Sequence, residues 1–164
     1  MQVMFNPSSV VQIPKARIAI VHGEYYQEQI DRMIEACREV LATSGCEEPD
    51  VYAVPGCVEL PLATRRVAQL GKGYEAIICF GIIIKGDSYH FDIVLDIATR
   101  GLAQVMMEED IPVIIQILPA DSMAIIDART GADELNKGIE AAIAAAKIIA
   151  WRREHDVPGL MKGR

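Results

Sequence analysis

The chain has 164 residues, 51% of them hydrophobic and 24% charged, with a formal net charge of -7. That balance excludes a broad nucleic-acid surface, and no apolar run approaches the roughly 20 residues of a membrane span. The length fits one domain, 1–164, with a sizeable core. Aromatic residues are few, at 5%, and Ala, Ile and Val dominate, which favours helices packed on a buried sheet.

The opening stretch, MQVMFNPSSVVQIPKAR, lacks a basic start followed by an apolar core and does not read as a signal peptide. Residues 1–16 form an arm. Its segment VVQIP (Val10–Pro14) is β-like and is expected to add an extra edge strand, to this sheet or to a neighbour's. RIAIVH (Arg17–His22) reads as a buried strand. The next segment, 26–45, spaces Ile30, Met33, Ile34, Cys37, Val40 and Leu41 as one helical face and stops at Gly45. DVYAVPG (50–56) is a strand closed by Pro55 and Gly56, and LPLATRRVAQLGKG (60–73) is a helix ending in glycines. EAIICFGIII (75–84) is the longest strand. Residues 89–110 form a helix with Phe91, Val94, Leu95, Ala98, Leu102 and Val105 inward. IPVIIQILP (111–119) is a fourth strand, SMAIIDART (122–130) a short helix, and 132–154 a long helix facing Leu135, Ile139, Ala142, Ile143, Ala146 and Ile149 inward. Residues 155–164 are expected to fray.

Strand followed by helix, four times over, predicts an α/β three-layer sandwich: a four-stranded parallel sheet of order 2-1-3-4 with helices on both faces. Cys37, Cys46, Cys57 and Cys79 show neither a CxxC pair nor a metal spacing. They read as reduced thiols of a cytoplasmic protein, and no metal is expected.

Ligands of such sheets bind outside the carboxyl ends of the strands. Those ends here are His22-Gly23-Glu24-Tyr25, Pro55-Gly56-Cys57-Val58-Glu59, Lys85-Gly86-Asp87-Ser88-Tyr89-His90 and Pro119-Ala120-Asp121-Ser122. In the third, Ser88 suits a helix N-cap and the helix start suits a phosphate. His90 carries the side chain best suited to moving a proton near neutral pH. Taken alone, the same cluster is also an ordinary turn with a surface histidine.

Three stretches in order, VPGCVELPLA (54–63), GIIIKGDSYHFDIV (81–94) and DARTGADELNKGIEAA (127–142), resemble the lumazine synthase family over about Arg17–Trp151. The resemblance implies condensation of 5-amino-6-(D-ribitylamino)uracil with 3,4-dihydroxy-2-butanone 4-phosphate to 6,7-dimethyl-8-ribityllumazine, a step of riboflavin biosynthesis that needs no cofactor. It implies a homo-oligomer, a pentamer with the site between adjacent subunits. Some members assemble twelve pentamers into a hollow 60-subunit shell, and the short segment between Arg129 and Asn136 fits that form. Carried over by position, His90 matches the proton-transfer histidine. Arg129 matches the arginine that meets the phosphate from the neighbouring subunit, and Asp87 and Ser88 lie in the phosphate turn. Cys57, Val58 and Glu59 match the segment touching the ribityl chain and ring, Ile82, Ile83 and Ile84 flank the pyrimidine, and Lys137 stands near the site. Tyr25 matches a stacking aromatic, in GEYY where members have RFN or RW. Val58 and Ile115 replace aromatics, Ser88 replaces threonine and Gln116 replaces a glycine. These departures fall on the ring-binding half, and they leave a second reading: a shell subunit of the same fold with a lost or altered ligand.

Overall fold

The computed structural model describes residues 10–156. Among them four strands and five α-helices alternate: β1 (Ile18–Gly23), α1 (Gln27–Thr43), β2 (Asp50–Val54), α2 (Leu60–Ala68), β3 (Ala76–Ile84), α3 (His90–Glu108), β4 (Val113–Ala120), α4 (Met123–Thr130) and α5 (Lys137–Glu154). The strands are all parallel in the order β2-β1-β3-β4. The expected architecture is therefore the observed one.

Period-two alternation divides the core. Ile18 and Ile20 of β1, with Ile78, Phe80 and Ile82 of β3, face α1, α4 and α5. Ala19 and Val21, with Ile77, Cys79 and Ile83, face α2 and α3. Both central strands are apolar on both sides because helices cover both sides. The edge strand β2 instead alternates between half-buried and exposed residues.

The inward faces of α1 and α3 match the helical spacing read from the sequence. Gly45 ends α1 in a left-handed conformation, φ +79°. In α5 the buried stripe is Gly138, Ala141, Ala142, Ala145, Ala146 and Ile149. Small residues let the backbones of α1 and α5 come together: a Cβ on Gly138 would lie 1.9 Å from the Met33 carbonyl oxygen. Asn136 is buried and caps α5, its Oδ1 accepting from Gly138 N at 2.8 Å. Its amide donates to Gly131 O at 2.7 Å and to Arg32 O at 3.4 Å, which ties the α4–α5 link to α1.

Several boundaries differ from the sequence reading. Val10–Pro14 forms no strand within this chain. Ile13 N and Lys15 N instead donate to Ser44 O and Gly45 O, each at 2.8 Å, and Lys15 turns the chain with φ 58°. Pro14 between them has no N–H to continue a ladder. Helix α5 begins at Lys137, five residues later than expected, because Asn136 caps it there. Leu135 lies before the helix and is exposed. Of the tail, 157–164 lies outside the described residues. His155 is held: its ring stacks on Trp151 at 4.4 Å, and its Nδ1 lies 2.8 Å from the Trp151 carbonyl oxygen.

At the amino ends of the strands, Asp50 accepts hydrogen bonds from Tyr74, whose hydroxyl also meets that of Tyr52 at 2.7 Å. Lys72 and Arg17 lie 3.6 and 3.7 Å from the same carboxylate. The Tyr74 hydrogen bond, with Lys72 and Arg17 behind it, holds the Asp50 carboxyl below its usual range. A depressed carboxyl stabilises the fold above its unfolded pKa, and that contribution is lost as pH falls through the folded value.

Two outcomes follow. Gly138→Ala destabilises the protein by about 3 kcal/mol, read as a fall of about 10 °C in Tm by circular dichroism. A Tm within about 2 °C of wild type would contradict the close crossing of α1 and α5. Tyr74→Phe lowers Tm most at about pH 5 and above, and the gap to wild type narrows as pH falls through the depressed native value of Asp50. A gap independent of pH would show that Tyr74 does not act through Asp50.

Candidate active site

The carboxyl ends of the parallel strands open on one edge of the sheet. At the end of β1, Glu24 N donates to Val54 O at 3.0 Å and couples this turn to β2. Tyr26 then adopts a left-handed conformation, φ 61° and ψ 49°. Its carbonyl accepts from Gln29 N and Ile30 N, starting α1. Tyr25 is left 68% exposed, with its ring lying over Gly56. A Cβ on Gly56 would stand 3.2 Å from Tyr25 Cε2 and 3.4 Å from Glu59 Oε2, so glycine here lets the ring and the carboxylate close on bare backbone.

Cys57–Glu59 form a single 3₁₀ turn leading into α2. Cys57 is buried, with its Sγ 3.9 Å from Ile82 O. Burial, aided by the nearby Glu59 charge, pushes its thiol up to about 11 against the hydrogen bond to Ile82. It is therefore a protonated wall of the site and not a nucleophile at neutral pH. Val58 and Glu59 are exposed.

At the end of β3, Lys85 N donates to Ala120 O at 2.8 Å and closes the ladder with β4. Lys85 to His90 are all exposed. Ser88 is not the residue at the helix boundary, which is Tyr89. Its hydroxyl still accepts from His90 N, at 3.3 Å, one position into α3. The imidazole of His90 has no hydrogen-bond partner among the described residues. Ile82 and Ile83 point into the two opposite cores, and Ile84 packs against the first. What these three can offer a ligand is backbone.

The remaining predicted residues lie on the other side of the sheet edge. Along the open side of β4 runs a hollow of about 640 Å³ between α3 and α4–α5. Arg129, from the last turn of α4, and Lys137, from the first residue of α5, both line it. Lys137 pairs with Glu140, whereas Arg129 makes no ion pair among the described residues. Gln116, Asp121, Phe91 and Ile125 line the same hollow. Ile115 does not line it. It packs against the α2–α3 core, nearer the amino end of β4, whereas the hollow takes Gln116 to Ala120 at the carboxyl end.

The structure thus gathers the predicted residues into two groups. Tyr25, Cys57, Val58 and Glu59 surround the β1 and β2 ends, with the Ser88–His90 turn at the head of α3, whose helix packs on the Cys57–Glu59 turn. Arg129 and Lys137 stand on the β4 side. No hydrogen bond or ion pair joins Tyr25, Glu59 or His90 to Arg129 or Lys137 among the described residues. Phe91, Leu95 and Ile125 are lining residues that sequence reasoning missed. The first two lay within the periodic inward face of a helix, which hid their second role. Chemically, one group offers a flat aromatic, a carboxylate and an imidazole. The other offers a free guanidinium, suited to a phosphate or carboxylate.

Comparison with known proteins adds a direct line of support. Residues 15–153 match the family model of 6,7-dimethyl-8-ribityllumazine synthase. A protein of that name from Leuconostoc mesenteroides is 30% identical over 148 residues, covering 89% of this chain and 94% of the relative. Another from Xanthomonas oryzae is 36% identical over 138 residues, covering 83% and 89%. With the three motif stretches, the parallel fold and the match along nearly the whole described length, the chain belongs to the 6,7-dimethyl-8-ribityllumazine synthase family.

Proposed function

We propose that this chain condenses 5-amino-6-(D-ribitylamino)uracil with 3,4-dihydroxy-2-butanone 4-phosphate, releasing phosphate and water to give 6,7-dimethyl-8-ribityllumazine. The observation that carries the reading is the placement of the family's motif residues at the carboxyl ends of one parallel sheet, with Arg129 free to take a charge. The family match and the names of the relatives favour an enzyme over a shell subunit with a lost ligand.

In this reading Tyr25 lies on the pyrimidine, and Glu59 with the bare backbone at Gly56 meets the ribityl hydroxyls. The butanone phosphate sits at the turn Gly86-Asp87-Ser88, where backbone N–H groups and the Ser88 hydroxyl donate. Arg129 meets the departing phosphate and stabilises the charge that develops as it leaves. The ring amine attacks the ketone, and loss of water gives an imine. His90, exposed at the head of α3, moves the protons that imine formation and tautomerisation require. Much of the acceleration comes from holding two substrates together.

The family resemblance implies a working site between subunits, with Arg129 and Lys137 supplied by a neighbour, and within one chain no hydrogen bond or ion pair joins these two to Tyr25, Glu59 or His90 among the described residues. The outer face of α3 supports this: Tyr89, Ile93 and Ile97 recur at four-residue spacing, and all three are exposed, as is Met107 further along. An apolar stripe of that kind marks an association surface. A cyclic pentamer, alone or assembled into a larger shell, satisfies both observations. Among the described residues no helix is long and apolar enough to cross a membrane. With Cys37, Cys46, Cys57 and Cys79 all free, we place the enzyme in the cytoplasm.

Lumazine fluorescence tests the reading directly. Purified protein forms product faster than the two substrates do alone, and an absence of any enhancement would sink the proposal. His90→Ala lowers kcat by about 100-fold. Arg129→Ala raises KM for the phosphate substrate by about 10- to 100-fold and leaves KM for the pyrimidine within about twofold. Co-refolding the two impaired variants, assayed at low phosphate-substrate concentration, restores part of the activity, because mixed oligomers contain some interfaces with both residues intact. Failure to complement, or a monomer at micromolar concentration in sedimentation, would rule out the shared site.

A further inference from the structure

Gln116 lies on β4, opposite Phe80 in the register with β3, and is half-buried in the hollow that Arg129 and Lys137 line. Its side-chain amide has no hydrogen-bond partner among the described residues. The other side chains around that hollow are specialised. Arg129 and Lys137 can only donate, Asp121 as a carboxylate can only accept, and the rest are apolar. Gln116 alone presents a donor and an acceptor side by side. Resting on the proposed reaction and its shared site, we infer that Gln116, brought by the neighbouring subunit together with Arg129 and Lys137, reads the edge of the pyrimidinedione ring at which an N–H stands beside a carbonyl.

The chemistry is complementary. An amide carbonyl accepts from the ring N–H while its NH₂ donates to the adjacent ring oxygen, the two-point geometry by which amide side chains recognise base edges. The contact is neutral, so it leaves the Arg129 charge for the phosphate. It also accounts for what this sequence lacks. The family resemblance implies that Val58 and Ile115 replace aromatic rings, and Ile115 does not line the hollow. Stacking holds a flat ring without fixing its rotation, whereas a paired amide fixes rotation as well. Once a ligand fills the hollow and excludes water, an unpaired Gln116 would be costly. A ring lacking the matching N–H is therefore rejected, and the position acts as a specificity residue.

The test uses the full-length protein with two apolar replacements of similar size, Gln116→Leu and Gln116→Met, each checked for wild-type Tm and oligomeric state. Each raises KM for the ribitylaminouracil about 10- to 100-fold while KM for the butanone phosphate stays within about twofold. The wild type discriminates by a similar factor against the ring methylated on that nitrogen, and the two variants do not. Binding of the 6-ribitylaminouracil without its 5-amino group, which cannot condense, is measured by calorimetry on the same proteins. Variants whose two KM values are unchanged, or rise together, overturn the role of Gln116 while the reaction stands. A wild type that binds this analogue through Gln116 but forms no lumazine leaves the role standing and overturns the reaction. A wild type that neither binds nor reacts overturns both.

Discussion

The β4 side of the site depends on how closely α5 crosses α1. Gly138 brings the two backbones into contact at Met33, and Asn136, one turn of chain earlier, fastens the helix start to Gly131 and to Arg32. These contacts fix where α5 begins. They therefore fix Lys137, the first residue of the helix, and the end of α4 that carries Arg129. The alanine stripe of α5 continues the same close contact toward Ile149. Lys137 and Arg129 are thus both positioned by packing, and little of their placement is left to the link between the two helices.

On the opposite side the determinants are backbone turns. Tyr26 holds a left-handed conformation that costs a non-glycine residue of order 1 kcal/mol. The turn sends Tyr25 outward over Gly56 and simultaneously starts α1. Cys57 fits against the strand because position 81 is glycine, where a Cβ would stand 2.5 Å from its sulfur. The chain is acidic overall, and yet Arg129 in the β4 hollow is a guanidinium with no ion pair among the described residues.

Much of this was legible in the sequence because parallel sheets covered on both faces leave strong signatures. The apolar runs of β1 and β3 and the spaced faces of α1 and α3 come from burial, and burial repeats with the period of the element. The motif residues His90 and Arg129 could be carried over by position. Three features resisted. Val10–Pro14 has strand-like composition, but its hydrogen bonds go to the α1–β2 turn, a choice that pairing partners make and propensity does not. The start of α5 was set by a buried asparagine cap, which composition alone placed five residues too early. Ile115 packs against the α2–α3 core while Gln116 to Ala120 line the hollow, a division set by depth along β4 that the strand's largely apolar composition does not mark.

Trp151 is the chain's single tryptophan, 56% exposed near the end of α5 and stacked on His155. The protein's intrinsic indole emission consequently reports on that helix terminus. Tyr25, the aromatic lying over Gly56, is invisible at indole wavelengths. Optical work on ligand binding has to take its signal from the ligand, and a change in tryptophan intensity is to be attributed to the terminus of α5 before it is attributed to the site.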